Sequence, residues 1–314
     1  MSTDALVLLS HLKVENANLI SGPLTWGFPA ITAFLGFAHN LLRNMPELGC
    51  SLNGVGVVCH AFAPQASKPG GMYDYVLHLN RYPADTKKDV QKIEKGSMPS
   101  FIEDGRAHME ISLVLGLAFE EYLDEESGPE VAERIMERAA RMRVAGGVVT
   151  AWKKPCWALC PGAEQDRARI FRKFRRRLLP GFALIDRSDL LRDRGGVYAL
   201  DELLDLCALH HESVEEDGKT IWKSRRKKPG WLVPIPVGYR ALSPVYEAGT
   251  VKNARDAETP FRFVESACSM GEWKSPNRIG LPEYMLWNYA YQPEKELYLC
   301  TACKPYEESL YEPD

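Results

Sequence analysis

The apolar positions of this chain follow two different periods in its first half. Ala5–Val14 is nearly continuous in Leu and Val and reads as a buried strand. From Thr32, a residue able to cap a helix, Phe34, Phe37, Ala38, Leu41, Leu42 and Met45 recur on one helical face. Leu52–Phe62 returns to strand character. Tyr73–Leu79 reads as a second strand with Tyr73, Tyr75, Leu77 and Leu79 on one side. Arg81–Gly105 is polar and Lys-rich without a clear period, which predicts an insertion or mobile loop. His108–Phe119 is a further strand. Pro129 then suits the first turn of a helix running to about Arg141, with Val131, Ile135, Met136 and Ala139 as its buried stripe. Val144–Trp152 closes the series as a strand. The succession strand, helix, strand, strand, helix, strand predicts a ferredoxin-like or RRM-like α+β unit over residues 1–152, with an inserted hairpin and loop.

The remainder has a different character. Ala163–Leu178 reads as a helix ending before Pro180-Gly181, and Asp186–Leu191 and Leu200–Leu209 as short helices. Glu212–Lys228 reads as a charged connector, so residues 153–228 form a basic helical region. Residues 229–314 are a strand-and-turn region, rich in Pro, Gly and aromatics, that packs on the first unit.

The formal net charge of −3 conceals segregation. Basic residues crowd Lys153–Arg177 and Lys219–Lys228, and acids crowd Glu120–Glu126 and Glu212–Asp217. That balance argues against indiscriminate coating of nucleic acid while allowing local basic grooves and an acidic face for a protein partner. No apolar run reaches the roughly 18 residues of a membrane span, and the opening Met1–Asp4 lacks the basic start of a signal peptide. The sequence therefore predicts a soluble cytoplasmic chain with no membrane partner, whose eight cysteines are thiols or metal ligands rather than disulfides.

Three constellations could carry chemistry. Arg167, Arg169, Arg172, Lys173, Arg175, Arg176 and Arg177 fall in one predicted helix, with Ile170, Phe171 and Phe174 as its apolar stripe. Arg169, Arg172, Lys173 and Arg176 share a face, where mutual repulsion makes a polyanion the natural partner. The alternative is a solvated face balanced by the protein's own acids. Aromatics interleaved with cations in Lys228–Arg240, Lys252–Arg255 and Phe261–Phe263, and in the loop carrying Trp26 and Phe28, suit stacking of single-stranded bases. They equally suit a core. Cys156, Cys160, Cys300 and Cys303 form two close pairs that would make a zinc site only if they met in space, so no cofactor is expected unless they do. Seven scattered histidines and the lack of any hydrolase or metalloprotease motif leave no catalytic residue assigned.

Several strings together are specific rather than compositional. They are Ser21–Pro29, Ala33–His39, Gly54–His60, Glu103–His108, Arg175–Leu184, Lys228–Pro244, Lys252–Asp256 and Gly271–Trp273. Over nearly the whole chain they resemble the second Csy subunit of type I-F CRISPR surveillance complexes, a Cas-five-family RAMP protein. That resemblance implies an RRM-like palm, a thumb-like basic region and no enzymatic activity. It implies as partners the 5′ handle of the CRISPR RNA, the large Csy subunit in a heterodimer, the backbone Csy subunits and, through the assembled complex, target DNA. On this reading Arg169, Arg172, Lys173 and Arg176 would contact phosphates, while Trp26, Phe28, Trp231 and Tyr239 would stack on bases or shape the pocket. Arg106, Lys252, Asn253 and Arg255 would complete the grip. The alternative is a RAMP endoribonuclease that processes precursor CRISPR RNA, as some Cas-five relatives do.

Overall fold

A computed structural model describes residues 3–68, 70, 75–80, 87–97, 102, 103, 105–120, 126–191, 199–254 and 256–306. The fold is α+β, dominated by one antiparallel sheet. Its first unit comprises β1 (Ala5–Asn18), α1 (Ile31–Arg43), β2 (Cys50–Pro64), β3 (Arg106–Phe119), α2 (Gly128–Ala140) and β4 (Gly147–Leu159). Within the sheet the four strands lie side by side in the order β4, β1, β3, β2.

Alternation places successive strand residues on opposite faces of the sheet. Val7, Leu9, Val55, Val57, Leu113 and Leu115 pack on one side beneath α1 and α2. Leu6, Leu8, Val58 and Val114 pack on the other, against Phe171, Phe174 and Leu178. Because both faces are covered, β1 reads as a continuous apolar run rather than an alternating one. Helix α1 buries Phe34, Phe37, Ala38, Leu41 and Leu42 as its spacing predicts, but its N-cap is Ala30 and Thr32 lies inside it. At the start of α2, a Cβ on Gly128 would stand 2.2 Å from the Trp157 indole, so only glycine lets the helix approach β4 so closely.

The second half is built from α3 (Glu164–Phe174), a 3₁₀ turn at Arg175–Leu178 and β5 (Phe182–Asp186). It continues with α4 (Ala199–Cys207), β6 (His210–Glu216), β7 (Lys219–Arg225), β8 (Trp231–Ala241), β9 (Val264–Lys274), β10 (Trp287–Gln292) and β11 (Leu297–Ala302). The sheet runs on from β2 through β5, β9, β8 and β11 to β10, and β10 returns to β2 at the pair Trp287–Val55. A ring of strands thus shares β2 with the first unit. Within it, a Cβ on Gly238 would lie 2.0 Å from the Tyr298 carbonyl oxygen, so the β8–β11 approach also requires glycine.

Three expectations are corrected. Tyr73–Leu79 is not one strand: among the described residues Val76–Leu77 and Leu79–Asn80 join two different short ladders. Asp186–Leu191 is the end of β5 followed by a 3₁₀ turn at Ser188–Leu191. Glu212–Lys228 is mostly a β-hairpin, not a connector. Its strands β6 and β7 pair with each other through Asp217-Gly218, both at positive φ (53° and 72°). An Asp-Gly pair with left-handed backbone at both central positions is the turn that matches strand twist. Within Arg81–Gly105, residues 81–86, 98–101 and 104 lie outside the described residues, and the described part includes a helix over Lys87–Glu94.

Candidate nucleic-acid interface

The basic helix expected over Ala163–Leu178 forms over Glu164–Phe174 and tightens into the 3₁₀ turn Arg175–Leu178, which carries Arg176. Phe171 and Phe174 are buried, and Arg169, Arg172, Lys173 and Arg176 are exposed. The other three cations are engaged by the protein's own groups, although Arg177 stays exposed. Arg167 Nε stands 2.7 Å from Glu283, Arg175 Nη1 donates to the Ile279 carbonyl at 2.8 Å, and Arg177 Nη1 donates to Cys156 Sγ at 2.6 Å. Arg169 is partly engaged by Asp166 at 3.0 Å on the same helix. Among the described residues, Arg172, Lys173 and Arg176 carry no ion pair, leaving a cationic surface over the C-terminal end of α3 and the 3₁₀ turn that follows, where the helix dipole also favours positive charge.

Three of the four expected aromatics meet in one groove of about 770 Å³. Its walls include Trp26, Phe28, Phe62, Phe182, Trp231 and Trp273, with His60 on its lining. Trp26 and Trp231 are each about half exposed (53% and 52%), and Phe182 is 44% exposed. The Trp231 ring lies 5.4 Å from Phe182 and 6.4 Å from Trp273. Phe28 has a different part: it packs 4.9 Å from Trp273, 5.4 Å from Phe34 and 5.7 Å from Phe62. It shapes the groove from beneath, while Trp26, Phe182 and Trp231 present ring surface to solvent. Phe182 was missed in the sequence, although it stands in the Arg175–Leu184 string.

The structure separates the other candidates from this groove. Tyr239 lies farther along β8, in register with Ser266 and with Tyr298, which itself pairs with Tyr291. Arg106 donates to the Asn16 carbonyl at 3.3 Å, at the opposite end of β3 from Phe119. Lys252 and Asn253 are exposed in the loop between β8 and β9, with Asn253 at φ 61°. Arg255 lies outside the described residues.

The four cysteines do not converge. Cys300 sits in the core beneath α1, Cys156 packs against the cluster on the opposite sheet face, and Cys160 and Cys303 line a separate polar cavity of about 500 Å³. Among the described residues, no group of three or more His, Cys, Asp and Glu side chains is arranged to hold a metal ion. Burial pushes the thiols up, to about 12 for Cys160 and Cys300 and about 11 for Cys303.

Sequence spacing gave no hint of one further cluster. His11 and His60, forty-nine positions apart in count, stack with ring centroids 4.0 Å apart and planes at 13°. Glu110 Oε1 lies 2.6 Å from His11 Nδ1, and the His60 Nε2–Ser112 Oγ distance is 2.7 Å. The hydrogen bond from His11 holds the Glu110 carboxyl below the usual carboxylate range.

An antiparallel α+β body with a cationic helix and an aromatic groove is shared by many proteins, and comparison narrows the class to CRISPR-associated proteins. The family described as CRISPR-associated protein (Cas_Csy2) matches residues 7–300, and the chain belongs to that family. A relative, CRISPR-associated protein Csy2 of Pseudomonas aeruginosa (strain UCBPP-PA14), is 42% identical over 318 residues covering 94% of each chain. The chain is thus a Csy2-family subunit of a type I-F CRISPR Csy complex, in antiviral defence. Among its described residues no helix is long and apolar enough to cross a membrane.

Proposed function

We propose that this subunit holds the 5′ handle of the CRISPR RNA, seating unpaired bases in the aromatic groove and backbone phosphates on the exposed face of α3. The observation that carries the reading is the groove itself. Trp26, Phe182 and Trp231 present half-exposed rings in one concavity large enough for a base. Stacking a base on such a ring is worth about 1–3 kcal/mol. Arg172, Lys173 and Arg176 supply the sequence-independent part of the grip. The polar 242–263 loop with Lys252, Asn253 and Arg255 would add further contacts.

On the same reading residues 1–152 are the RRM-like palm, residues 153–228 the thumb-like region and residues 229–314 a strand-rich part resting on the palm. The strand order β4, β1, β3, β2 with α1 and α2 against one face supports the palm assignment. The subunit would pair with the large Csy subunit and cap the backbone filament, so that base pairing by the guide reads target DNA. Its role is structural. His60 has both ring nitrogens within hydrogen-bond distance of Pro180 and Ser112, and His11 is buried, so neither offers RNA a free acid or base.

Co-expression with the other Csy subunits and a repeat array, followed by sequencing of copurified RNA, tests the reading. Handle-bearing RNA is expected with the native chain, and Trp231→Ala is expected to weaken its retention by the about 1–3 kcal/mol of one stacked base. Equal RNA recovery from the Trp231→Ala complex would remove the groove from the interface. Metal-independent cleavage of a repeat hairpin by the lone chain would overturn the non-catalytic role.

A further inference from the structure

The His11–His60 pair is built by two coincident irregularities. Strands β1 and β2 flank β3, and both bulge at the same level. On one side the register steps from Leu9–Leu113 to Leu12–Ile111, and on the other from Cys59–Ile111 to Ala61–Glu110. His11 and His60 fall in the inserted positions. His11 also takes φ 50°, an uncommon conformation for a residue with a Cβ. Bulges re-aim side chains, and these two aim a pair of imidazoles at each other across β3.

Ser112 on β3 joins them. Its Oγ accepts from the His11 backbone N–H at 3.0 Å and lies 2.7 Å from His60 Nε2. The His60 tautomer follows from its other partner. Nδ1 stands 2.6 Å from the Pro180 carbonyl oxygen, which can only accept, so Nδ1 carries the hydrogen. In the neutral ring Nε2 then accepts from the Ser112 hydroxyl.

Pro180 begins the turn that delivers the groove wall. A Cβ on Gly181 would stand 2.7 Å from His60 Nδ1, so the turn is pressed directly onto the imidazole. The next residue, Phe182, pairs with Cys59 and sets its ring 5.4 Å from Trp231. A continuous chain of contacts therefore runs from Glu110 through His11, His60 and Pro180 to the Phe182–Trp231 wall.

We infer that His60 is the positioning residue of the aromatic groove: its neutral imidazole fixes the Pro180 turn, and through it the Phe182–Trp231 wall, so that taking up a proton loosens the wall. A second proton would make Nε2 a donor, turning the Ser112 hydroxyl hydrogen away from its buried acceptor. It would also set a cation against His11 and near Lys153, opposed among the described residues by Glu110, whose charge His11 and Lys13 already share. Burial, the largest influence, and then His11 and Lys153 lower the His60 pKa, against the bond to Pro180 and the Glu110 charge, which raise it. The unfolded chain therefore binds the proton more readily than the folded one. The stability linked to neutral His60 is present above the ordinary imidazole value of 6.5 and is lost as pH falls below it toward the lowered folded value.

The link to RNA rests on the groove being the RNA site, but the wall can be watched without RNA. In the full chain labelled with 5-fluorotryptophan, the Trp231 resonance, assigned by its loss in Trp231→Phe, is followed by ¹⁹F NMR from about pH 7.5 to about pH 5.5, across the imidazole range. One protonation step in that resonance is expected. His60→Gln can still donate to Pro180 and accept from Ser112 but has no proton to gain, so it should keep the neutral-pH signal and lose the step. His60→Ala should displace the signal at every pH. An unchanged step in His60→Gln, or an unmoved signal in His60→Ala, overturns the inference, and the native and glutamine chains suffice if the alanine variant does not fold. In parallel, binding of a fluorescein-labelled single-stranded repeat RNA should weaken about tenfold in His60→Ala and recover to within about threefold in His60→Gln. If the Trp231 signal behaves as expected while RNA affinity is indifferent to both substitutions, the positioning role stands and the assignment of the groove to RNA falls.

Discussion

Trp287→Ala is expected to destabilise the chain by about 3–5 kcal/mol, the usual cost of emptying a fully buried aromatic site. Trp287 has no exposed surface, and its indole Nε1 donates to the Leu184 carbonyl of β5 at 2.9 Å. Its backbone forms the pair with Val55 through which β10 returns to β2. The side chain thus fills the inside of the strand ring and ties its far wall to β5, so alanine leaves both a cavity and an orphaned carbonyl. Trp287→Phe keeps most of the volume and loses the hydrogen bond, and should cost less, with about 1–3 kcal/mol for the unmet acceptor. Urea unfolding of the full chain measures both. A loss below about 1 kcal/mol for Trp287→Ala would mean that the ring collapses around the site without penalty.

The second large effect is expected from reversing charge at Arg172 and Arg176 together. Both side chains are exposed, Arg172 on α3 and Arg176 on the 3₁₀ turn after it, over a segment held down by Phe171, Phe174 and Leu178, so the fold should survive. RNA affinity should fall, and its dependence on salt should become shallower. Each single-stranded phosphate contact contributes about 0.7 to the slope of log K against log salt, so losing two should flatten it by about 1.4. Fluorescence anisotropy with repeat RNA across a salt series reads both quantities. Unchanged affinity and slope would leave α3 as a solvated face, the reading its acids in the first turn, Glu164 and Asp166, would then support.

What could be read from the sequence is what local period determines. The continuous run of β1 and the helical stripes of α1 and α2 report burial directly, and all three elements stand where the spacing put them. The hairpin β6–β7 was hidden because most of its side chains are exposed, so no apolar alternation marks it. Its Asp217-Gly218 turn was the available signal. The groove was half visible: Trp26, Phe28 and Trp231 were singled out, but long-range pairing alone decides that they meet and that Tyr239 does not. The histidine pair was wholly hidden, since the apolar runs of β1 and β2 carry no mark of the two bulges that bring the rings together.

The hairpin has a consequence of its own. Inside, it is stiff: a tight turn, seven paired positions, and the cross-strand pairs Glu212–Arg225 and Glu216–Lys223 fix its form. At its root it is held to α4 by Lys227 reaching Glu202 and Asp205, and by His210 reaching Asp205. Those are surface ion pairs, weakened by salt. The arm is therefore a rigid lever on a compliant pivot.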